Sequence, residues 1–300
     1  MKRRTDCDLT ATRMIFSPQW QAGSRPLLTF SGKGFRVHSH QTIVSTLQEI
    51  ARRYPAEQVS SQLDDVPRMA FNIELVQQTV APSSLCDVGG GIGIFSAACA
   101  SLGIKATLID DFGDAINSIC GDRALDLHRS CGVSVVQRDV VNEGFDFPPS
   151  QFDCISCFES MEHWHGSAKR VLHGMVNSLR SGGALIISVP NCVNLRKRIT
   201  VPLGRGKWSP MESWYEAPVF RGHVREPDTD DLRYIARDLG IKDVRVIGRN
   251  WVGFQSPNAL IRLLTRVSDP CLRFISEPVR EYLPDRNQTL NRVPPRGSDN

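Results

Sequence analysis

The stretch Leu85-Cys86-Asp87-Val88-Gly89-Gly90-Gly91-Ile92-Gly93 constrains this chain more than any other. It reads as a short buried strand that turns sharply through glycines into a helix over Ile94 to Leu102, ended by Gly103. Ala97, Ala98 and Ala100 are small enough to let that helix lie close against a sheet. Glycine carries an entropic cost, so a cluster this dense indicates backbone that takes positive φ or approaches a ligand closely. A strand-to-helix turn of this kind puts ligands beyond the carboxyl ends of a parallel sheet.

The glycine spacing narrows the ligand. A G-x-G-x-x-G dinucleotide frame begun at Gly89 meets Ile94 where its third glycine belongs, and one begun at Gly91 meets Ser96. Both frames fail, which argues against a nicotinamide-dependent oxidoreductase. The order present, Asp87-x-Gly89-x-Gly91-x-Gly93, resembles motif I of the class I S-adenosylmethionine (SAM) methyltransferases. Lys105 to Ile109 is a second apolar strand ending at Asp110-Asp111. A carboxylate there can accept from both ribose hydroxyls of a nucleoside; Asp110 is favoured and Asp111 is the near alternative. Gly132 to Gln137 forms a third strand, followed by Arg138-Asp139-Val140. The resemblance implies that Asp139 takes the adenine amino group and that the N–H of Val140 faces the ring. Phe152 to Phe158 is a fourth strand, and Glu159 to His165 is the loop at its end, facing the transferred methyl. The cofactor-binding set so implied is Asp87, Gly89, Gly91, Gly93, Asp110, Asp139, Val140 and Phe158.

Further segments resemble the small-molecule branch of these enzymes. They are Phe152-Asp153, Glu159-Ser160-Met161-Glu162-His163, a helix to Leu179, Ser181-Gly182-Gly183, a strand over Ala184 to Val189 and Pro190-Asn191. Gly222-His223-Val224-Arg225 and Asp231-Leu232 to Gly240 follow. The resemblance covers residues 80–255, about one domain in size. It implies an α/β, Rossmann-like class I methyltransferase fold: a mostly parallel seven-stranded sheet flanked by helices, with an N-terminal helical extension. The expected division is an extension over 1–80, the SAM-dependent domain over 81–255, and C-terminal helices with a disordered tail over 256–300. The implied activity moves a methyl group from SAM to a small-molecule, glycan or lipid-linked acceptor, at oxygen. The alternative is a catalytically inactive SAM-binding regulator or partner, against which the filled ligand positions count.

The segment Glu159-x-x-Glu162-His163 resembles the E-x-x-E-H of ubiquinone-biosynthesis O-methyltransferases and of small-RNA 2′-O-methyltransferases. In those families it binds Mg²⁺ or a related divalent ion, and His223 would match the later histidine of the RNA enzymes. Two carboxylates with imidazoles can hold such an ion, which would orient a hydroxyl and lower its pKa. The preferred reading is a hydrogen-bonded loop element and no metal; a divalent site of Glu159, Glu162, His163 and His223 stands second. Methyl transfer to a hydroxyl profits from a general base, for which His163 and His223 are the candidates and His165 the third. Cys154-x-x-Cys157 is no thiolate site, because strand residues three apart point to opposite faces.

Composition excludes several classes. A net charge of +4 with scattered basic residues leaves no nucleic-acid footprint. Lys2-Arg3-Arg4 and Arg196-Lys197-Arg198 read as solvated surface. No apolar run approaches the ~20 residues of a membrane helix, and no apolar segment follows the N-terminal basic cluster. With cysteines on buried elements (Cys86, Cys99, Cys154), a reduced, cytoplasmic protein is expected. Residues 1–37 show little periodicity. Helical patterns over Thr42 to Arg53 and Arg68 to Val80, separated by the polar Ser60 to Asp65, are expected to cover the substrate side. Cys192 to Arg221 reads as a long irregular insertion carrying Trp208, Trp214 and Tyr215, either a substrate-specificity segment or a variable surface loop. Trp164, Trp208 and Trp214 can supply an apolar or sugar-stacking wall. Ala259 to Arg266 and Pro270 to Leu283 read as amphipathic helices, and Asn287 to Asn300 as disordered. Leu260, Leu263 and Leu264 beside Arg262 and Arg266 suit either peripheral membrane contact or a cap on the core.

Overall fold

The computed structural model describes residues 37–205, 211–249, 251, 258–260, 262–264 and 267, together with the backbone of 286–292. Helix α1 (His40–Arg52) starts at Ser39, whose hydroxyl accepts the Thr42 N–H, and buries Ile43, Leu47, Ile50 and Ala51 along one face. Helix α2 (Ala56–Thr79) runs straight through the polar stretch expected to separate two helices. Ser60, Ser61, Asp64 and Pro67 face solvent, while Gln62, Val66, Met69, Ala70 and Ile73 are buried. Packing of that buried stripe outweighs both the weak local propensity and the hydrogen bond that Pro67 cannot donate.

Strand β1 (Ser84–Val88) is followed by α3 (Ile94–Ser101), β2 (Lys105–Asp110), α4 (Ala115–Ser130), β3 (Ser134–Gln137) and β4 (Phe152–Phe158). Then come a 3₁₀ turn over Met161–His163, α5 (Ala168–Ser178), β5 (Leu179–Pro190), α6 (Leu195–Thr200) and α7 (Met211–Tyr215). Helix α8 (Thr229–Asp238) and strands β6 (Asp243–Arg249) and β7 (Arg286–Arg292) complete the described elements. The sheet order is β3-β2-β1-β4-β5-β7-β6. Strands β1 to β5 pair in parallel. Strand β7 runs antiparallel between β5 and β6. The chain winds outward from β1 on one side and from β4 on the other, so a crevice opens between the carboxyl ends of those two strands.

Alternation along the strands feeds two cores. Leu85, Leu108, Cys154, Ala184 and Ile186 pack with α1, α2, α3 and α4 on one face. Cys86, Val88, Ile109, Ile155, Cys157, Leu185 and Ile187 pack with α5 and α8 on the other. Cys154 and Cys157 therefore lie on opposite faces of the sheet, both fully buried and reduced.

Three further expectations are corrected. The tail from Asn287 is not wholly without structure, since residues 286–292 pair with both β5 and β6. Its polar sequence lacks strand alternation, and the pairing comes from two neighbouring strands that offer unmet backbone groups. The insertion after Cys192 is not irregular throughout, because α6 and α7 lie within it. Lys197 is not a freely solvated charge: its side chain is largely buried in an ion pair with Glu226. Trp208, Lys2-Arg3-Arg4 and the Pro270 to Leu283 helix lie outside the described residues. Residues 259, 260, 262–264 and 267 are helical, with Leu260, Leu263 and Leu264 exposed. No helix among the described residues is long and apolar enough to cross a membrane.

Candidate active site

The glycine turn after β1 is built on backbone that side chains would obstruct. Gly89 has φ +70° and donates to the Ile109 carbonyl at 2.8 Å; a Cβ added there would sit 1.8 Å from Ser160 Oγ. Gly91 has φ +53°, and a Cβ there would meet no protein atom within 4 Å. Gly93 precedes α3, and the first amide of that helix, on Ile94, donates to Gln62 Oε1 from α2 at 3.2 Å. Helix α2 thus reaches the glycine loop directly.

Asp87 lies beneath this loop, buried, its two carboxylate oxygens accepting from Ser96 Oγ at 2.7 Å and Ser156 Oγ at 2.8 Å. Burial pushes its carboxyl up to about 6 against the opposing pull of those two hydroxyls. Its place is support under the turn. Asp110, at the end of β2, binds the loop itself: its Oδ2 accepts the Gly91 N–H at 3.0 Å and its Oδ1 the Phe112 N–H at 2.6 Å. Burial raises the Asp110 pKa, and these two N–H donors oppose the rise. Asp111 is committed elsewhere, to Arg221 at 2.7 and 3.0 Å. Of the two candidates, Asp110 alone is joined to the glycine loop. The resemblance implies that Asp110 holds the ribose of SAM, and on that expectation replacing it by Ala weakens binding by about 1.5–3 kcal/mol through lost charged hydrogen bonds. Calorimetric titration with S-adenosylhomocysteine (SAH) checks this, and unchanged affinity would remove Asp110 from the site.

Asp139 caps a turn, its Oδ1 accepting the Val141 and Asn142 N–H groups, both at 3.0 Å. Val140 beside it is buried. The Phe158 ring is turned into the core, edge-on to Phe95 with centroids 5.0 Å apart.

The loop after β4 is the strained part of the site. Glu159 adopts φ +55°, a conformation that costs a side-chain-bearing residue energy and that clusters at functional sites. Its Oε1 accepts from Ser188 Oγ at 2.6 Å. Glu162, on the 3₁₀ turn, is 1 % exposed, and neither carboxylate oxygen has a hydrogen-bond partner. Burial pushes its carboxyl up to about 8, helped by the nearby Glu226 carboxylate and opposed by its own backbone N–H and, more weakly, by Arg68 of α2. The backbone carbonyl of Glu162 accepts the Val224 N–H at 2.7 Å, which brings the 220–226 segment across the loop.

Two imidazoles meet this carboxylate. One donor atom each from Glu162, His163 and His223 lies within 4.8 Å of the others, and the two rings meet edge to face with centroids 4.8 Å apart. His163 Nδ1 is 2.6 Å from the Arg221 carbonyl, which can only accept, so Nδ1 carries the proton and the neutral ring keeps a lone pair on Nε2. His223 Nδ1 stands 2.8 Å from the Glu226 carboxylate, which orients that ring in the same sense. The hydrogen bond from His223, with that from Lys197, holds Glu226 down at about 2 despite partial burial. Burial lowers the His163 pKa, and His223 nearby adds to the effect, so the His163 ring is neutral near pH 7. His165 does not join them; its Nε2 bonds the Phe220 carbonyl at 2.8 Å.

Sequence reading identified Glu162, His163 and His223, which the fold brings together, and Glu159, which it holds against Ser188. It missed Gln62, Ser160, Arg221 and Glu226. Arg221 and Glu226 flank Gly222-His223-Val224-Arg225, and that adjacency was the one available signal. Gln62 and Ser160 carried none, because their roles rest on contacts 32 and 71 residues away in the chain.

Comparison with known proteins accords with this geometry. The family model described as "Methyltransferase domain" matches residues 56–246. The chain is 31 % identical over 153 residues to the ubiquinone biosynthesis O-methyltransferase of Pseudomonas syringae pv. tomato, an alignment covering 49 % of this chain and 62 % of that protein. It is 28 % identical over 151 residues to the enzyme of the same name from Pseudomonas entomophila, with the same two coverages. The chain therefore spans less than two thirds of the length of these relatives. Among solved structures, phosphoethanolamine N-methyltransferase 2 of Haemonchus contortus in complex with S-adenosyl-L-methionine superposes with a TM-score of 0.53 at 14 % identity. That match covers 86 % of this chain and 60 % of the other. With the matched family spanning the glycine turn, the acid after β2 and the loop after β4, the chain belongs to the class I SAM-dependent methyltransferases.

Proposed function

We propose that this protein transfers the methyl group of SAM to a hydroxyl oxygen of a small-molecule acceptor. The observation that carries the oxygen assignment is the convergence of Glu162, His163 and His223 beside the loop that faces the methyl. The sulfonium is already activated, so the protein has to align oxygen, methyl carbon and sulfur and exclude water. Asp110 and the glycine turn hold the nucleoside, and Asp139 with Val140 faces the adenine. An oxygen lone pair forms the new O–CH₃ bond as the C–S bond breaks, its electrons returning to sulfur to leave SAH. The acceptor proton passes to an imidazole Nε2 of the cluster, with Nδ1 of His163 held by the Arg221 carbonyl and that of His223 by Glu226.

The same donor set fits a divalent cation. A buried carboxylate whose oxygens lack hydrogen-bond partners, beside two imidazoles whose Nδ1 atoms are already engaged, is the arrangement that metal ligands and their supporting groups share. Glu162, His163 and His223 would hold the ion, which would lower the pKa of a bound hydroxyl. Helix α2, bearing Gln62 and Arg68, forms a wall of the acceptor side on this reading.

Incubation with methyl-labelled SAM and a metabolite extract is expected to yield SAH and one product heavier by a single methyl on oxygen. Tight SAM binding without any product would leave the inactive SAM-binding alternative standing. Replacing His223 by Ala is expected to lower turnover by about 10²-fold with little change in SAH affinity, as for loss of a general base or ligand. An unchanged rate would make His223 structural. Titration of Mn²⁺ into chelator-treated protein should raise Tm; the absence of any response removes the metal.

A further inference from the structure

We propose that Arg221 is a positioning residue that couples the cofactor half of the site to the histidine half. The inference rests on the SAM reading above. Arg221 Nη2 donates to both oxygens of Asp111 at 2.7 and 3.0 Å, and its Nε donates to Asp114 at 2.7 Å. The carbonyl of the same residue accepts from His163 Nδ1 at 2.6 Å. One residue is therefore fixed through its side chain to the loop after β2 and through its main chain to the loop after β4.

The β2 loop is held at its other end as well. Asp110 grips the Gly91 N–H of the glycine turn at 3.0 Å. A continuous path thus runs from Gly91 through Asp110 and Asp111 to Arg221 and on to the His163 ring. The guanidinium sits close against the loop backbone: a Cβ added at Gly113 would come within 2.6 Å of Nη1. Asp110 at the end of β2 and Asp111 and Asp114 in the loop after it place three carboxylates within five residues, and Arg221 engages two of them at once. Without it their mutual repulsion would open the loop that presents Asp110. An ammonium cannot reproduce the fork that spans two carboxylates, so lysine should restore only part of the function. Ordering of the ribose side by cofactor then sets the imidazole that faces the acceptor, and the coupling is reciprocal.

The test uses SAH as the probe on the full chain. Calorimetry on Arg221→Met, Asp111→Asn and the double variant is expected to show SAH binding about tenfold weaker in each single variant. The double variant should be no weaker than the singles, because all of them break one link. Arg221→Lys should recover part of the affinity at unchanged Tm. The protein has seven histidines, which makes its ¹⁵N-imidazole spectrum tractable. Signals assigned to His163 and His223 through their Gln variants should shift when SAH saturates the wild type, and stay in place when it saturates Arg221→Met. Wild-type SAH affinity in Arg221→Met, additive losses in the double variant, or the same imidazole response in both proteins would overturn the proposal. Failure of the wild type itself to bind SAH is a separate result, which would remove the SAM reading and this inference with it.

Discussion

A Gly91→Val variant is expected to fold and to lose SAH binding by on the order of 100-fold or more, about 2.7 kcal/mol. The Cβ at this position meets no protein atom within 4 Å, so the fold loses little beyond the cost of φ +53° for a side-chain-bearing residue, roughly 1–2 kcal/mol. The added isopropyl group would project from the turn into open space, which on the proposed reading the nucleoside fills. Gly89→Ala supplies the contrast. Its Cβ would fall 1.8 Å from Ser160 Oγ, so Ser160 or the turn must move, and stability drops by roughly a further 1–3 kcal/mol for the overpacking. Urea denaturation with SAH calorimetry separates the two: the first variant loses ligand at the smaller cost in stability, and the second shows the larger loss of stability. Normal SAH binding by Gly91→Val would show that the nucleoside lies elsewhere.

On the proposed assignment of Glu162 to the acceptor side, a Glu162→Gln variant should fall by about 10²-fold or more in turnover while SAH affinity stays near wild type. In metal-free protein it should also change how stability depends on pH. The folded carboxyl titrates at about 8 against an ordinary 4.5, so between those values the folded chain keeps a proton that the unfolded chain releases. Wild-type stability therefore declines as pH rises through that window, by at most about 1.4 kcal/mol per pH unit. Glutamine cannot titrate, and its advantage over wild type should widen from pH 5 to pH 8. Denaturation curves at pH 5, 6.5 and 8 check the slope. Parallel behaviour of the two proteins would mean that Glu162 is solvated or paired in solution.

Both predictions rest on local features with unequal visibility in the sequence. The glycine turn was legible because four glycines and a preceding apolar run encode a strand-to-helix switch within a dozen residues. Strands β1, β2 and β4 were legible for the same reason, their apolar runs ending at Val88, Asp110 and Phe158. Helix α2 was read as broken at Ser60 to Asp65 because a polar stretch on a solvent face looks like a linker until its buried neighbours are known. Strand β7 was invisible, its partners lying about a hundred and about forty residues earlier in the chain. The expected hydrogen-bonded loop element is present through the Glu162 carbonyl and His163 Nδ1, while the burial of the Glu162 carboxyl without a hydrogen-bond partner is a feature no spacing could supply.

The sequence alone determined the strand-turn-helix at residues 84–101, the acid that ends β2, a mainly parallel sheet and the residue types of the loop after β4. Each is written in a short window, where periodicity and glycine placement act on neighbouring backbone. Tertiary structure decided which of Asp110 and Asp111 reaches the glycine turn, how Glu162, His163 and His223 converge, and what Arg221 spans. Those outcomes depend on distances across the sheet and on burial, which arise only when segments far apart in the chain pack together.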